Sequence, residues 1–222
     1  MSMETALALL AFAKGNGFMI ASLVLCFGIV LRVAEIILLG RKADLAPAKG
    51  DGTMQGVRTV FSRSLPAPGM VKKSAVTYIG GYVFHIGFFV ALFFLGQHIE
   101  LFDLAFGVSW PALPRQVVEL SAIFAIGALI AVAITRVMDP VRRLLTTPQD
   151  WLGIIVTALP LVTGFLAINH MVDPYEMIMA LHILSVELLM VVLPFTKLAH
   201  AVTFVLSRYY QGSIAGRKGI AS

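Results

Sequence analysis

The chain has 222 residues, 59% of them hydrophobic and only 13% charged, and 17 Lys and Arg against 12 Asp and Glu give a formal net charge of +5. The charged share is about half that of an ordinary soluble domain, and the mean hydropathy is +0.90. These values exclude a water-soluble enzyme, a disordered chain and a nucleic-acid-binding domain, because too little polar surface is available to cover a core in water. The single cysteine, Cys26, cannot form an internal disulfide, a Cys-rich zinc site or an iron–sulfur cluster. No C-x-x-C-H is present to attach haem covalently. Any redox chemistry therefore needs a non-covalent cofactor held by other residues.

Five apolar stretches, near 17–39, 75–97, 117–136, 151–170 and 177–206, are long enough to cross a hydrocarbon layer of about 30 Å. They predict an all-α integral membrane protein, a five-helix bundle forming one domain over 1–222. The first stretch is too long for a signal-peptide h-region and lacks a small-residue cleavage site, so it reads as a retained span. The last is the longest and is expected to tilt or run past the membrane. Arg41, Lys42, Lys49, Arg58, Arg63, Lys72 and Lys73 lie between spans 1 and 2. Arg136, Arg142 and Arg143 lie between or beside spans 3 and 4, and Arg208, Arg217 and Lys218 in the tail. The opposite side carries only Lys14 and Arg115. By the positive-inside rule the N-terminus is outside and the C-terminus cytoplasmic. Trp110 and Trp151 then fall at opposite interfaces. The segment 40–74, punctuated by Pro47, Gly50, Gly52, Pro66, Pro68 and Gly69, reads as a cytoplasmic loop with room for one short helix. Its charges serve either topology or the docking of a partner.

Five histidines, His85, His98, His170, His182 and His200, sit in spans or at span ends, where polar rings are costly and tend to be functional. On one continuous helix His182 and His200 would share a face about 27 Å apart. Pro194 between them removes a backbone hydrogen bond and predicts a bend. Spans 2 and 5 run in opposite directions, so His85 and His200 belong to the inner half and His98 and His182 to the outer half. Haem iron leaves two axial positions that neutral imidazoles suit, and the pairing predicts two b-type haems. His98 does not share the face of His85 on an ideal helix; a helix ended or distorted at Gly96 would reconcile the two. His170 is the alternative to His98 as partner of His182. A single haem held by His85 and His200 alone is a further alternative.

These residues resemble the membrane cytochrome b (gamma) subunit of respiratory nitrate reductase over roughly residues 20–210. The resemblance rests on Leu31-Arg32, on Phe84-His85-Ile86-Gly87, and on Leu181-His182 through Leu193-Pro194-Phe195-Thr196-Lys197-Leu198-Ala199-His200. It implies that His85 and His200 ligate the inner haem and that His182 is the span-5 ligand of the outer one. The family's second span-2 histidine falls at Leu95 in this chain; the nearest imidazole is His98. Related cytochromes serve heterodisulfide-reductase-like or sulfite-reduction proteins. The resemblance thus implies a diheme electron-transfer subunit of a respiratory complex in the bacterial cytoplasmic (inner) membrane. It would link the quinone pool to a cytoplasmic iron–sulfur subunit, nitrate-reductase-like or heterodisulfide-reductase-like.

Other polar residues in the spans have two readings each. Arg32 and Glu35 are spaced to pair on a helix, or Arg32 holds a haem propionate. Glu187, deep in span 5, is a hydrogen-bonded neutral acid or a proton-transfer group. Asp173 and Glu176 beside His170 form a turn or receive quinol protons. Lys197 snorkels toward water or touches a propionate. A proton- or ion-conducting transporter without haem, using histidines, Glu187 and Arg32 as a relay, is the runner-up function.

Overall fold

A computed structural model describes residues 2–39, 45–67 and 69–220 of the chain. Arg41, Lys42 and Pro68, on which part of the loop reading falls, lie outside the described residues. Among the described residues all regular structure is helical. Five helical stretches, Met3–Leu38, Ala75–Phe94, Arg115–Met138, Pro148–Ile168 and Tyr175–Phe195, are long and apolar enough to cross a membrane.

The element order is α1 (Met3–Phe12), a π turn (Ala13–Gly17), α2 (Phe18–Leu38), α3 (Gly52–Ser62), α4 (Met70–Lys73), α5 (Ala75–Phe94), α6 (Gly96–Phe106), α7 (Arg115–Met138), α8 (Pro140–Leu145), α9 (Pro148–Ile168), α10 (Tyr175–Val192) and α11 (His200–Arg217). Two differences from the sequence expectation matter. The first membrane-length helix begins at Met3 rather than near residue 17: Ser2 caps it by accepting from the Thr5 N–H, and the π turn carries the helix through Gly15 and Gly17. The fifth does not run to residue 206. Pro194 lacks an N–H, 3-10 turns occupy Leu193–Phe195 and Lys197–Ala199, and Thr196 between them is extended at φ −126° and ψ −174°. His182 and His200 therefore sit on different helices, α10 and the first residue of α11, and the shared face expected of one continuous helix does not hold.

The chain divides into two compact units, Met1–Ser22 with Ser74–Met190 and Leu23–Lys73 with Val191–Ser222. In the first, α5 and α7 pack closely along their lengths. In lipid no hydrophobic force drives helices together, so close approach relies on small residues. Gly87 lies against the Ser121 carbonyl and the Ala125 methyl, and Gly80 lies against Val132. Ala122, Ala125, Leu129 and Leu161 form the core there, with Phe84 and Phe88 packed on it. Arg142 fastens α8 to the start of α5, donating to Thr77 Oγ1 at 2.6 Å and Ser74 Oγ at 3.2 Å while pairing with Asp139. Pro148 at the first position of α9 and a Thr147/Asp150 capping box begin that helix.

In the second unit α3 and α11 run antiparallel along a glycine seam. A Cβ at Gly56 would meet the Tyr209 ring at 2.7 Å, one at Gly212 would collide with Thr59, and one at Gly216 would meet the Asp51 carbonyl at 2.6 Å. The pair is closed at one end by Arg208 donating to Ser64 Oγ at 2.7 Å. The helix break at Pro194 is served by Arg32, whose Nε donates to the Pro194 carbonyl at 2.7 Å.

Candidate functional site

The first unit brings His98 and His182 together. Their ring centres are 6.1 Å apart and their planes are 9° from parallel. His98 reaches this place because α5 stops at Phe94. Leu95 turns extended (φ −76°, ψ 130°) and a new helix starts at Gly96, so the rotation that would have carried His98 off the site is reset. The break at Gly96 that the sequence required for a common site is present.

The hydrogen bonds fix the tautomer of His98. The last carbonyls of a helix have no intrahelical partner, and its Nδ1 lies 3.0 Å from the Ala91 carbonyl and 3.1 Å from that of Leu92. Carbonyls only accept, so Nδ1 carries the proton and the neutral ring keeps its lone pair on Nε2. Burial pushes the His98 ring below its ordinary range, which favours that neutral form.

His182 reaches the same tautomer by a longer route. Its Nδ1 is 3.2 Å from Thr163 Oγ1. The Thr163 hydroxyl donates to the Leu159 carbonyl at 2.7 Å, and the neighbouring Ser185 hydroxyl donates to the His182 carbonyl at 2.7 Å. Both hydroxyl protons are committed, so the hydrogen between the His182 ring and Thr163 belongs to Nδ1. The lone pair again stays on Nε2. Gly164 admits the ring: a Cβ there would meet His182 Cε1 at 2.9 Å and Nδ1 at 3.2 Å. Thr163, Gly164 and Ser185 were not singled out in the sequence. The one signal for them is a Thr-Gly step in an otherwise apolar span and a serine one helical turn after the histidine.

His85 and His200 belong to different units and are described separately. Each shows the same ring chemistry, with Nδ1 held by a local carbonyl: Gly81 at 2.7 Å for His85 and Lys197 at 2.8 Å for His200. Both rings are exposed. His170 is not with His182. It stacks on Tyr175 at 4.7 Å and stands at φ +50°, closing α9 as the Met171 N–H returns to the Leu166 carbonyl at 3.0 Å.

Arg32 pairs with Glu35 at 2.7 Å as well as holding the Pro194 carbonyl. The local ion pair expected from the spacing is thus formed. Glu187 is 7% exposed, and its Oε1 has no hydrogen-bond partner among the described residues. It lies against the π turn, where a Cβ at Gly17 would meet Oε2 at 2.7 Å. Among the described residues no three His, Cys, Asp or Glu side chains gather to hold a metal ion; the assembled group is a pair of imidazoles.

Fold and site together define an all-helical chain of multi-pass membrane character with a preorganised histidine pair in one of its units. Over 127 residues it is 42% identical to a protein of Nitratidesulfovibrio vulgaris described simply as "Protein". The match covers 57% of this chain and 56% of that relative, so the chain spans just over half the length of the relative it matches. No family model matches, and no solved structure matches.

Proposed function

We propose that this chain is a diheme cytochrome b membrane subunit that passes electrons between the quinone pool and a cytoplasmic iron–sulfur subunit. In this reading the N-terminus is outside, the C-terminus is cytoplasmic, and the membrane is the bacterial inner membrane. The carrying observation is the His98–His182 pair. The ring centres are 6.1 Å apart with near-parallel planes, a separation within which one metal atom could be shared by both imidazoles. Both rings keep a lone pair on Nε2 and give Nδ1–H to a carbonyl or hydroxyl, the arrangement that orients ligating histidines. The residues present therefore fit haem at this position.

When bound, haem supplies one-electron carriage across the bilayer. In this reading His98 and His182 would hold the outer group and His85 and His200 the inner one; Thr163 and the Ala91 and Leu92 carbonyls set the orientation of the His182 and His98 rings. Arg32, held by the Pro194 carbonyl and Glu35, would supply a guanidinium for a propionate of the bound group. A single cysteine cannot hold an iron–sulfur cluster, so that cluster belongs to the partner, which the basic cytoplasmic segments attract. The partner is nitrate-reductase-like or heterodisulfide-reductase-like, and its potential sets whether quinol is oxidised or quinone reduced.

The reduced visible spectrum of the purified protein tests this reading. A b-type band with about two extractable haems per chain is expected. A colourless, fully folded preparation overturns it in favour of the proton- or ion-conducting reading, for which the buried, unpartnered Oε1 of Glu187 is the specific support. Gly164→Ala provides a finer check. The added methyl pushes on the His182 ring, so the band of the haem that depends on His182 is expected to shift or be lost while the other stays, as read by low-temperature difference spectra.

A further inference from the structure

α3 presents its apolar side away from the helix it packs on. Gly52, Gln55, Gly56 and Thr59 face α11, with Gly56 and Thr59 buried. At 100° per residue Met54, Val57 and Phe61 fall within about 60° of arc on the opposite side. Met54 is 67% and Phe61 72% exposed, and Leu65, just past the helix end, continues the stripe at 71%. The glycine seam fixes this rotation: turning α3 to bury Phe61 would replace the Gly56 and Gly212 contacts with side chains for which there is no room.

The surroundings select the occupant of this face. Lys49, Arg58, Arg63, Lys72, Lys73, Lys197, Arg208, Arg217 and Lys218 lie in residues 45–73 and 196–220. Asp51 is the one acidic residue among the described residues of those segments. Its carboxylate caps α3, accepting from the Thr53 and Met54 N–H groups at 2.8 and 3.1 Å. The stripe itself is Met, Val, Phe and Leu, with no hydrogen-bonding group for a partner to satisfy. Both ends of α3 connect within about a dozen residues to membrane-length helices, which keeps it within reach of the bilayer surface.

We propose that α3 is an in-plane membrane anchor, seating Met54, Val57, Phe61 and Leu65 in the acyl boundary of an anionic leaflet while Arg58, beside the stripe, meets its phosphates. Apolar area and basic charge act together in such helices, and each cation near an anionic surface strengthens the association. The inference rests on the five membrane-length helices and not on haem.

The test uses the full chain in nanodiscs, with Phe61→Trp introduced on a Trp110→Phe/Trp151→Phe background. In discs containing phosphatidylglycerol the emission is expected to be blue-shifted and quenched several-fold more by brominated acyl chains than by aqueous iodide. Arg58→Gln is expected to weaken the acyl-chain quenching. Red emission quenched by iodide overturns the proposal and leaves the face free for a protein partner. Should the tryptophan variant misfold, nitroxides at single cysteines at 53, 54, 57, 58, 60, 61 and 62, outside the glycine seam and on a Cys26→Ser background, give the same decision. Oxygen accessibility should peak at 54, 57 and 61; a uniform preference for an aqueous nickel chelate at those positions overturns the proposal.

Discussion

His182→Ala is expected to lower the haem content of the purified protein from about two per chain to about one, with the helical signal unchanged. His98→Ala should give the same loss, and the double variant should lose no more than either single one, because in the proposed function both rings would serve one iron. Residues acting as a unit show this non-additivity. His170→Ala is the control. That ring stacks on Tyr175 at the end of α9, away from the pair, and both haems should remain. Pyridine haemochrome against protein concentration decides the matter. Full haem content in His98→Ala together with loss in His170→Ala would reverse the assignment.

Gly87→Val is expected to be the most destabilising single glycine substitution in the first unit. Any Cβ at Gly87 collides with the Ser121 carbonyl and comes within 2.9 Å of the Ala125 methyl. A backbone carbonyl in a helix cannot swing aside as a flexible side chain can, so α5 must move off α7. Overpacking of this kind costs about 1–3 kcal/mol, and the backbone obstacle places Gly87→Val at the upper end. The displacement also carries His85, two residues away, so the spectrum of the haem proposed to use His85 should change with the stability. Gly127→Ala is the matched comparison: nothing lies within 4 Å of a Cβ there, and alanine in a helix interior is worth up to about 1 kcal/mol over glycine. Thermal melts in detergent, followed by circular dichroism, should show a lowered midpoint for Gly87→Val and an unchanged or raised one for Gly127→Ala.

Part of the site was legible before the fold. His98 needed a helix interruption to share a site with a histidine on the last span, and Gly96 marked the place; the structure breaks at Leu95. The spacing of Arg32 and Glu35 gave their ion pair. Thr163, Gly164 and Ser185 were not legible, because their roles depend on α9 facing α10 at one rotation, and sequence periodicity within a single apolar helix does not set that rotation.

The sequence by itself determined the number of membrane-length helices, since twenty apolar residues have few alternatives to a helix in hydrocarbon. It also determined the concentration of histidines within them and at their ends and the basic character of the long loop. The tertiary structure decided where helices stop and which groups meet. Thr196 became extended where the apolar pattern ran on, because Pro194 removed a donor and Arg32, from a distant helix, took up the Pro194 carbonyl. His98 rather than His170 met His182, and the apolar face of α3 turned outward, because glycine contacts at single positions fix how each helix is rotated. Those contacts join residues far apart in the chain, whereas composition and periodicity act within one helix.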